Sequence, residues 1–203
     1  MKIHRQAESL GKQSNYTGMR GALCAIGIVG LGLFPPAGFA IPANPRAIDK
    51  TELSVLPTLF PRQTVLGEHA FRVDLPQCGT CLFVPIQDLQ GRPEISLHLV
   101  KEGQITYTLA QSEADRTWAA WEVLAVAFTD LDADGDDDIM LLAEYMTGIG
   151  PQGAVPFPAM SIYYSRKRGF ELDPALSQTL TDRRVETIGE AIEFIRNDLR
   201  QLP

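Results

Sequence analysis

The chain has 203 residues, of which 45% are hydrophobic, and this is enough apolar material for a domain with a core of its own. Its formal net charge is −7 and its pI is about 5.0. An acidic surface disfavours binding to nucleic acids and to anionic membranes, so neither class of partner is expected.

The first part of the chain has the organisation of a secretory signal peptide. A basic residue, Arg20, precedes an apolar run at 22–34, and small residues close the segment at Ala40. The run is shorter than the roughly 20 residues that span a bilayer, so an uncleaved anchor is the less favoured alternative. We expect cleavage after Ala40 and a periplasmic or secreted product without a stable membrane span. Met19 is an alternative start, because the signal is complete from there. Residues 1–40 carry a net charge of +3, so their removal takes the net charge from −7 to −10.

Residues 41–66 are a proline-rich lead-in to a single β-rich domain that we predict at 67–203. Proline lacks a backbone N–H and breaks helices, so no helix is expected before about residue 61. The segment is predicted to be extended or to form a mobile arm. Its prolines are Pro42, Pro45, Pro57 and Pro61.

The domain contains six or seven segments with the pattern of β-strands. Some alternate apolar and polar residues, and others are short apolar runs. Short connections favour antiparallel pairing. Within the third segment, His98 alternates with leucines and is expected to face solvent. The segments are AFRVDL (70–75), CLFVPI (81–86), EISLHLV (94–100), QITYTLA (104–110), WEVLAVAF (121–128), DIMLLAEY (138–145) and AMSIYYS (159–165).

Helix signals are concentrated near the C-terminus. Asp173 followed by Pro174 predicts the N-cap and first residue of a short helix. Thr187 and Glu190 have the spacing of a capping box and predict a second, amphipathic helix. We expect its apolar stripe to pack on one face of the sheet. The stripe consists of Ile188, Ala191, Ile192, Ile195 and Leu199.

The segment FTDLDADGDDDIMLL (128–142) carries six aspartates within nine positions. No basic residue adjoins them in sequence, so their repulsion has to be relieved by pKa shifts or by a bound cation. Oxygen ligands at alternate positions suit a hard cation, Ca²⁺ above all, and Gly135 permits the positive φ that bends such a loop. A solvated acidic turn without an ion is the alternative. The predicted ligands are the side chains of Asp130, Asp132, Asp134 and Asp138 and the carbonyl of Asp136.

An EF-hand loop begins with the same pattern but needs a bidentate glutamate at position twelve, where this chain has Leu141. The pattern D-x-D-x-D-G-x-x-D followed by an aliphatic pair resembles the calcium loop of FG-GAP and VCBS repeats, over about residues 125–144. The resemblance implies a loop between two strands with the five ligands already named. Ala133 departs from the glycine common in that family, but its side chain is not a ligand. Propellers built from such repeats need several blades, and this chain has one copy, so a full propeller is not expected.

Cys78 and Cys81 are the cysteines that remain after cleavage, and in an exported protein they predict one disulfide. A redox-active C-x-x-C opens a helix, which lowers the thiol pKa. Here the residues after Cys81 predict a strand, so a thiol–disulfide oxidoreductase is the less favoured interpretation. A zinc site that adds His69 and His98 would match no established ligand spacing.

The segment EYMTGIGPQGAVPFP (144–158) contains three glycines and three prolines. Long loops on rigid scaffolds often carry function, so it is a candidate binding loop with Thr147 and Gln152 as polar groups. It follows the strand that leaves the aspartate loop and should lie at the opposite end of that strand from the ion.

Together these patterns predict an α+β fold, a mostly antiparallel β-sheet with a C-terminal amphipathic helix. The favoured function is that of an exported calcium-binding protein with a structural or partner-binding role, its partner being a protein or a polysaccharide. The alternative is a periplasmic enzyme, either an oxidoreductase that uses the C-x-x-C or a calcium-assisted hydrolase. No residue is singled out as catalytic, and this favours the non-enzymatic role.

Overall fold

The computed structural model describes residues 45–150 and 153–199, so the predicted signal peptide and Gln152 lie outside the described residues. No helix in this part of the chain is long and apolar enough to cross a membrane. The strands are β1 (Arg46–Ala47), β2 (Thr64–Val65), β3 (Phe71–Leu75), β4 (Gly79–Asp88), β5 (Glu94–Lys101), β6 (Gln104–Thr108), β7 (Ala119–Thr129), β8 (Asp138–Met146), β9 (Phe157–Arg166) and β10 (Gly169–Leu172). The helices are α1 (Lys50–Leu59), α2 (Glu113–Thr117), α3 (Pro174–Asp182) and α4 (Ile188–Phe194), with a 3₁₀ turn at Gly67–His69 and a π-helical turn at Ile195–Leu199.

The strands form two sheets in which every pair is antiparallel. An N-terminal sheet has the order β1-β3-β4-β5-β6, with β2 also paired to β4, and a C-terminal sheet has the order β10-β9-β8-β7. All seven predicted strands are present, and the α+β class is confirmed. The described residues form neither a closed barrel nor a propeller.

The main core lies between the two sheets. Phe83 and Leu99 of the N-terminal sheet and Ile139, Leu141 and Tyr163 of the C-terminal sheet belong to one buried cluster. The central strand β8 is buried on both faces, because its alternate residues enter a second cluster under the C-terminal helices. That double burial explains why its sequence is a continuous apolar run.

The C-terminal helices cover the outer face of the C-terminal sheet, as predicted. The Asp173 carboxylate accepts a hydrogen bond from the Leu176 amide at 2.9 Å and starts α3. Thr187 Oγ1 accepts from the Glu190 amide at 3.2 Å and starts α4. Both helices bury apolar side chains against β8 and β9. The buried members of this cluster are Leu131, Met140, Leu142, Met160, Ile162, Leu176, Leu180, Ala191 and Ile195.

The expectation that no helix precedes residue 61 is wrong, because α1 lies within the predicted lead-in. A capping box outweighs the proline content. Asp49 Oδ1 accepts from the Thr51 and Glu52 amides, and Glu52 Oε2 accepts from the Asp49 amide at 2.8 Å. Pro57 falls in the last turn, where its missing N–H removes one intrahelical bond. The neighbouring Leu56 is buried between the helix and the N-terminal sheet, and its burial offsets that loss.

Helix α1 also overturns the expectation that His98 faces solvent. The side chain does point away from its leucine neighbours, but α1 covers that face of the N-terminal sheet, and His98 is only 8% exposed. Its ring packs against Phe60, with the ring centroids 5.0 Å apart, and its two nitrogens meet hydroxyls of Ser96 and Thr108. Burial lowers the pKa of His98. The imidazole is therefore a neutral, hydrogen-bonded core group.

Candidate metal centre

The aspartate loop connects two adjacent antiparallel strands, as predicted. Strand β7 ends at Thr129, which pairs with Asp138, the first residue of β8. The loop between them therefore has its two ends fixed side by side. Leu131 is buried against the C-terminal helices and anchors the loop from within. The carboxylates are consequently held between two hydrogen-bonded strands and a buried leucine.

Inside the loop, aspartate side chains hydrogen-bond to the backbone and set its curvature. Asp130 accepts from the amides of Asp134 (3.2 Å) and Gly135 (3.1 Å), one at each oxygen. Asp134 Oδ1 accepts from the Asp136 amide at 2.9 Å. Gly135 has φ 95°, as expected, and Ala133 has φ 64°. Ala133 therefore occupies the left-handed region that favours glycine, although the sequence suggested that the alanine would have little effect.

Asp138 is the most constrained carboxylate of the loop. Its side chain is fully buried, at 0% exposure. Oδ2 accepts from the Leu131 amide at 2.8 Å and Oδ1 from the Ser165 amide at 2.7 Å. Burial raises the pKa of Asp138 to about 6. The hydrogen bonds from the Ser165 and Leu131 amides oppose this rise, and the repulsion of Asp132 and Asp134 adds to it.

Three of the five predicted ligands are brought together. Carboxylate oxygens of Asp130, Asp132 and Asp138 all lie within 4.8 Å of one another, a spacing that could hold a metal ion. The Asp134 carboxylate is not in this group, and the ligand predicted for Asp136 is a backbone carbonyl, so it is not a member of a side-chain group. Each oxygen that accepts an amide N–H keeps a second lone pair, so the backbone bonds orient the carboxylates without exhausting them.

Arg166 is the basic residue that the fold brings to the loop, and no sequence pattern marked it as a neighbour of the aspartates. Its Nη1 lies 3.0 Å from Asp132 Oδ2 and 3.8 Å from Asp134 Oδ2. Arg166 ends β9, which pairs antiparallel with β8, so the end of β9 lies beside the start of β8. Pairing the two predicted strands would have revealed this neighbour. Burial raises the pKa of Asp137, and the repulsion of Asp130 and Asp136 adds to this rise.

A further contact joins the end of β9, which neighbours the loop, to the turn between β3 and β4. Gln77 Nε2 donates to Ser165 Oγ at 2.7 Å and to the Arg166 carbonyl at 3.0 Å. Ser165 in turn donates its amide to Asp138. The turn between β3 and β4 therefore holds the end of β9 in place, and the end of β9 in turn hydrogen-bonds to the Asp138 carboxylate. The sequence carries no pattern that marks Gln77 or Ser165.

Cys78 and Cys81 lie at disulfide distance, with their Cα atoms 6.0 Å apart, as predicted. Both are buried in the main core, and strand β4, not a helix, continues the chain through Cys81. The helix N-terminus that activates redox-active C-x-x-C sites is therefore missing here. The pair joins the turn before β4 to the third residue of that strand.

The glycine- and proline-rich loop lies at the far end of β8 from the aspartates, as predicted. Thr147 lines a groove of about 780 Å³ between this loop and α3. Trp118 and Phe157 form its apolar wall and contact each other edge to face. Ile149 and Val155 are 82% and 62% exposed beside it.

Comparison with models of protein families gives no match, and comparisons with curated proteins and with solved structures give none either. The interpretation of the site therefore depends on its geometry and on the spacing of its aspartates in the sequence.

Proposed function

We propose that this chain is an exported protein in which one Ca²⁺ ion, bound by the loop 130–138, stabilises a two-sheet fold. The observation that carries the proposal is the convergence of three carboxylates within 4.8 Å, one of them fully buried. Arg166 supplies a single positive charge at the edge of this cluster, so three carboxylates remain undercompensated. A divalent ion would complete the neutralisation and fix the turn between β7 and β8.

Calcium suits the site better than magnesium. Calcium takes about six to eight oxygens in flexible geometry, whereas magnesium demands a near-ideal octahedron and keeps several waters. The irregular loop offers carboxylates from Asp130, Asp132 and Asp138, and water can complete the shell. The resemblance to FG-GAP and VCBS loops implies two further ligands, the Asp134 side chain and the Asp136 carbonyl. The Asp134 carboxylate would have to turn away from Arg166 to reach the ion.

The ion acts on stability because it binds the folded chain and not the unfolded one. Thermal unfolding of the purified protein in millimolar Ca²⁺, in Mg²⁺ and in chelator tests this. We expect the melting temperature to be highest in Ca²⁺, and Asp132→Asn to abolish the difference between Ca²⁺ and chelator. Equal melting temperatures in all three solutions would refute the proposal.

Asp182→Asn is the matched control for this experiment. Asp182 lies on α3 away from the loop and accepts a hydrogen bond from Gln178 Nε2 at 2.7 Å, which an amide oxygen can also accept. The control removes one carboxylate without touching the cluster. We expect it to keep the full calcium response.

A second candidate function is partner binding at the groove beside Thr147. The supporting observation is that Ile149 and Val155 expose large apolar surfaces next to the aromatic wall, which is typical of contact sites for other proteins. Replacing both by serine should abolish retention of a partner from the exported fraction of the source cells. The same change at Leu124, which is exposed on β7, should leave retention intact.

A further inference from the structure

A second cavity, unrelated to the aspartate loop, lies where the 3₁₀ turn at Gly67–His69 meets β7. It measures about 260 Å³. Trp121, which is 52% exposed, forms part of its lining together with Glu68, His69 and Glu122. An indole this exposed is unusual on a protein surface and suggests a contact site.

A β-bulge builds this cavity. Ala120 pairs with Tyr145 and Glu122 pairs with Glu144 on β8, so Trp121 is the extra residue of the bulge. The extra residue interrupts the alternation of the strand, and two successive side chains, Trp121 and Glu122, are exposed together. Gln87 Nε2 donates to the Trp121 carbonyl at 3.3 Å and fixes the bulge from β4. Bulges next to functional sites re-aim side chains in this way.

The charge around the cavity is negative. Glu68 and Glu122 line it, and Glu144 lies directly opposite Glu122 on the neighbouring strand, a pairing of like charges that costs stability. Among the described residues no lysine or arginine lines the cavity or forms an ion pair with these three glutamates. Burial lowers the pKa of His69 against the opposing effect of Glu68 and Glu122, so its imidazole is neutral at pH 7.

We propose that this cavity binds an organic cation, an alkylammonium or guanidinium group, on the face of Trp121 between the carboxylates of Glu68 and Glu122. Tryptophan is the best aromatic partner for such cations, and the carboxylates add ion pairing. A metal ion is a poorer fit, because among the described residues the only group of acidic or histidine side chains close enough to hold one is the aspartate cluster. A neutral sugar could stack on the indole but would leave the negative charge uncompensated.

A titration monitored by two-dimensional ¹H–¹⁵N NMR tests the proposal, because the two tryptophans of the chain give two indole N–H signals. The probes are choline and its neutral carbon isostere 3,3-dimethylbutanol, at constant ionic strength and constant Ca²⁺. We expect choline to shift the Trp121 signal with millimolar affinity and the isostere to bind about tenfold more weakly. Nα-acetyl-lysine amide and its Nε-acetylated form repeat the comparison for a peptide side chain. Tighter binding of either cation than of its neutral counterpart supports the proposal. The cation that binds more tightly tells a small quaternary ammonium ligand from a lysine side chain of a partner.

Variants locate the site. Trp121→Leu should weaken choline binding about tenfold, Trp121→Phe should weaken it less, and Glu122→Gln should weaken it several-fold. Tryptophan fluorescence follows binding to the glutamate variants, and the isolated choline methyl signal follows binding to the tryptophan variants. Glu186→Gln, in a different cavity, is the matched control and should bind as the parent does. Equal affinity for choline and its isostere, preferential binding of cellobiose, or no shift up to about 50 mM choline would overturn the proposal.

Discussion

Arg166 Nη1 lies 3.0 Å from Asp132 Oδ2, so the end of β9 places a positive charge against the most exposed corner of the aspartate cluster. The guanidinium partly neutralises Asp132, and it would compete with a bound ion for that carboxylate. The two partners are partly exposed, so the ion pair itself contributes at most about 1 kcal/mol.

We therefore predict opposite effects of Arg166→Gln on the two states of the protein. Without metal the variant should melt at a lower temperature than the parent, because the carboxylates lose their neutralising partner. With Ca²⁺ it should bind the ion a few-fold more tightly, because competition for Asp132 is removed. Calorimetry and thermal unfolding measure the two effects. Lys167→Gln, the control, removes one positive charge at the next residue and should change neither the melting temperature nor the Ca²⁺ affinity. Weaker Ca²⁺ binding by Arg166→Gln would contradict competition between Arg166 and the ion for Asp132.

The raised pKa of Asp138 predicts that the stability of the metal-free protein and its affinity for Ca²⁺ change in opposite directions with pH. A carboxyl whose folded pKa is about 6, against an ordinary value of 3.8, favours the protonated folded form. In chelator its contribution to stability is therefore present below about pH 3.8 and lost as the pH rises through about 6. Calcium requires the deprotonated carboxylate, so Ca²⁺ affinity should fall about tenfold between pH 7 and pH 5.

Titrations of Ca²⁺ at several pH values, combined with urea unfolding in chelator, measure both trends. Ca²⁺ affinity that stays constant from pH 7 to pH 5 would contradict ligation of the ion by an Asp138 carboxylate with a raised pKa.

The backbone of the loop gives a pair of reciprocal predictions. Ala133 at φ 64° pays a steric cost that glycine avoids, so Ala133→Gly should stabilise the protein by about 0.5–1 kcal/mol. Gly135 at φ 95° has no atom within 4 Å of an added Cβ, so Gly135→Ala should cost about 1 kcal/mol through its backbone alone. Urea denaturation in chelator measures both. A loss of stability in Ala133→Gly would mean that the loop geometry differs from the one described.

Helix α1 is predicted to be an integral part of the domain, unlike the mobile arm suggested by its prolines. Leu56 is fully buried under it, so Leu56→Ala should cost about 2–5 kcal/mol. The adjacent Val55 is 50% exposed and is the matched control, since Val55→Ala should change the free energy of unfolding by less than about 0.5 kcal/mol. Urea unfolding of the two variants tests this prediction. Equal stabilities of the two variants would instead support a mobile arm that does not pack on the domain.

The sequence predicted most of the regular structure because that information is local. Alternation identified the strands, and Asp173 and Thr187 marked two helix starts that the structure has. Helix α1 was missed because prolines were given more weight than the Asp49–Glu52 capping box. His98 was misplaced for the same reason, since the element that buries it was absent from the prediction.

The candidate metal centre was predictable only in part. The aspartates are contiguous in sequence, so their spacing pointed to a loop that binds a cation. Gln77 supports Ser165 over a separation of 88 residues. Ser165 and Arg166 reach the loop through strand pairing, over separations of 27 and 34 residues. Such contacts follow from the pairing of β8 with β9, which single-strand patterns do not specify.

Titration calorimetry of the metal-free protein with Ca²⁺ is the most direct measurement. The proposed site predicts a saturable heat corresponding to one ion per chain, lost in Asp130→Asn and retained in Asp182→Asn. No heat from well-folded, metal-free protein, or an undiminished heat from Asp130→Asn, would contradict the proposal that the aspartate loop holds calcium.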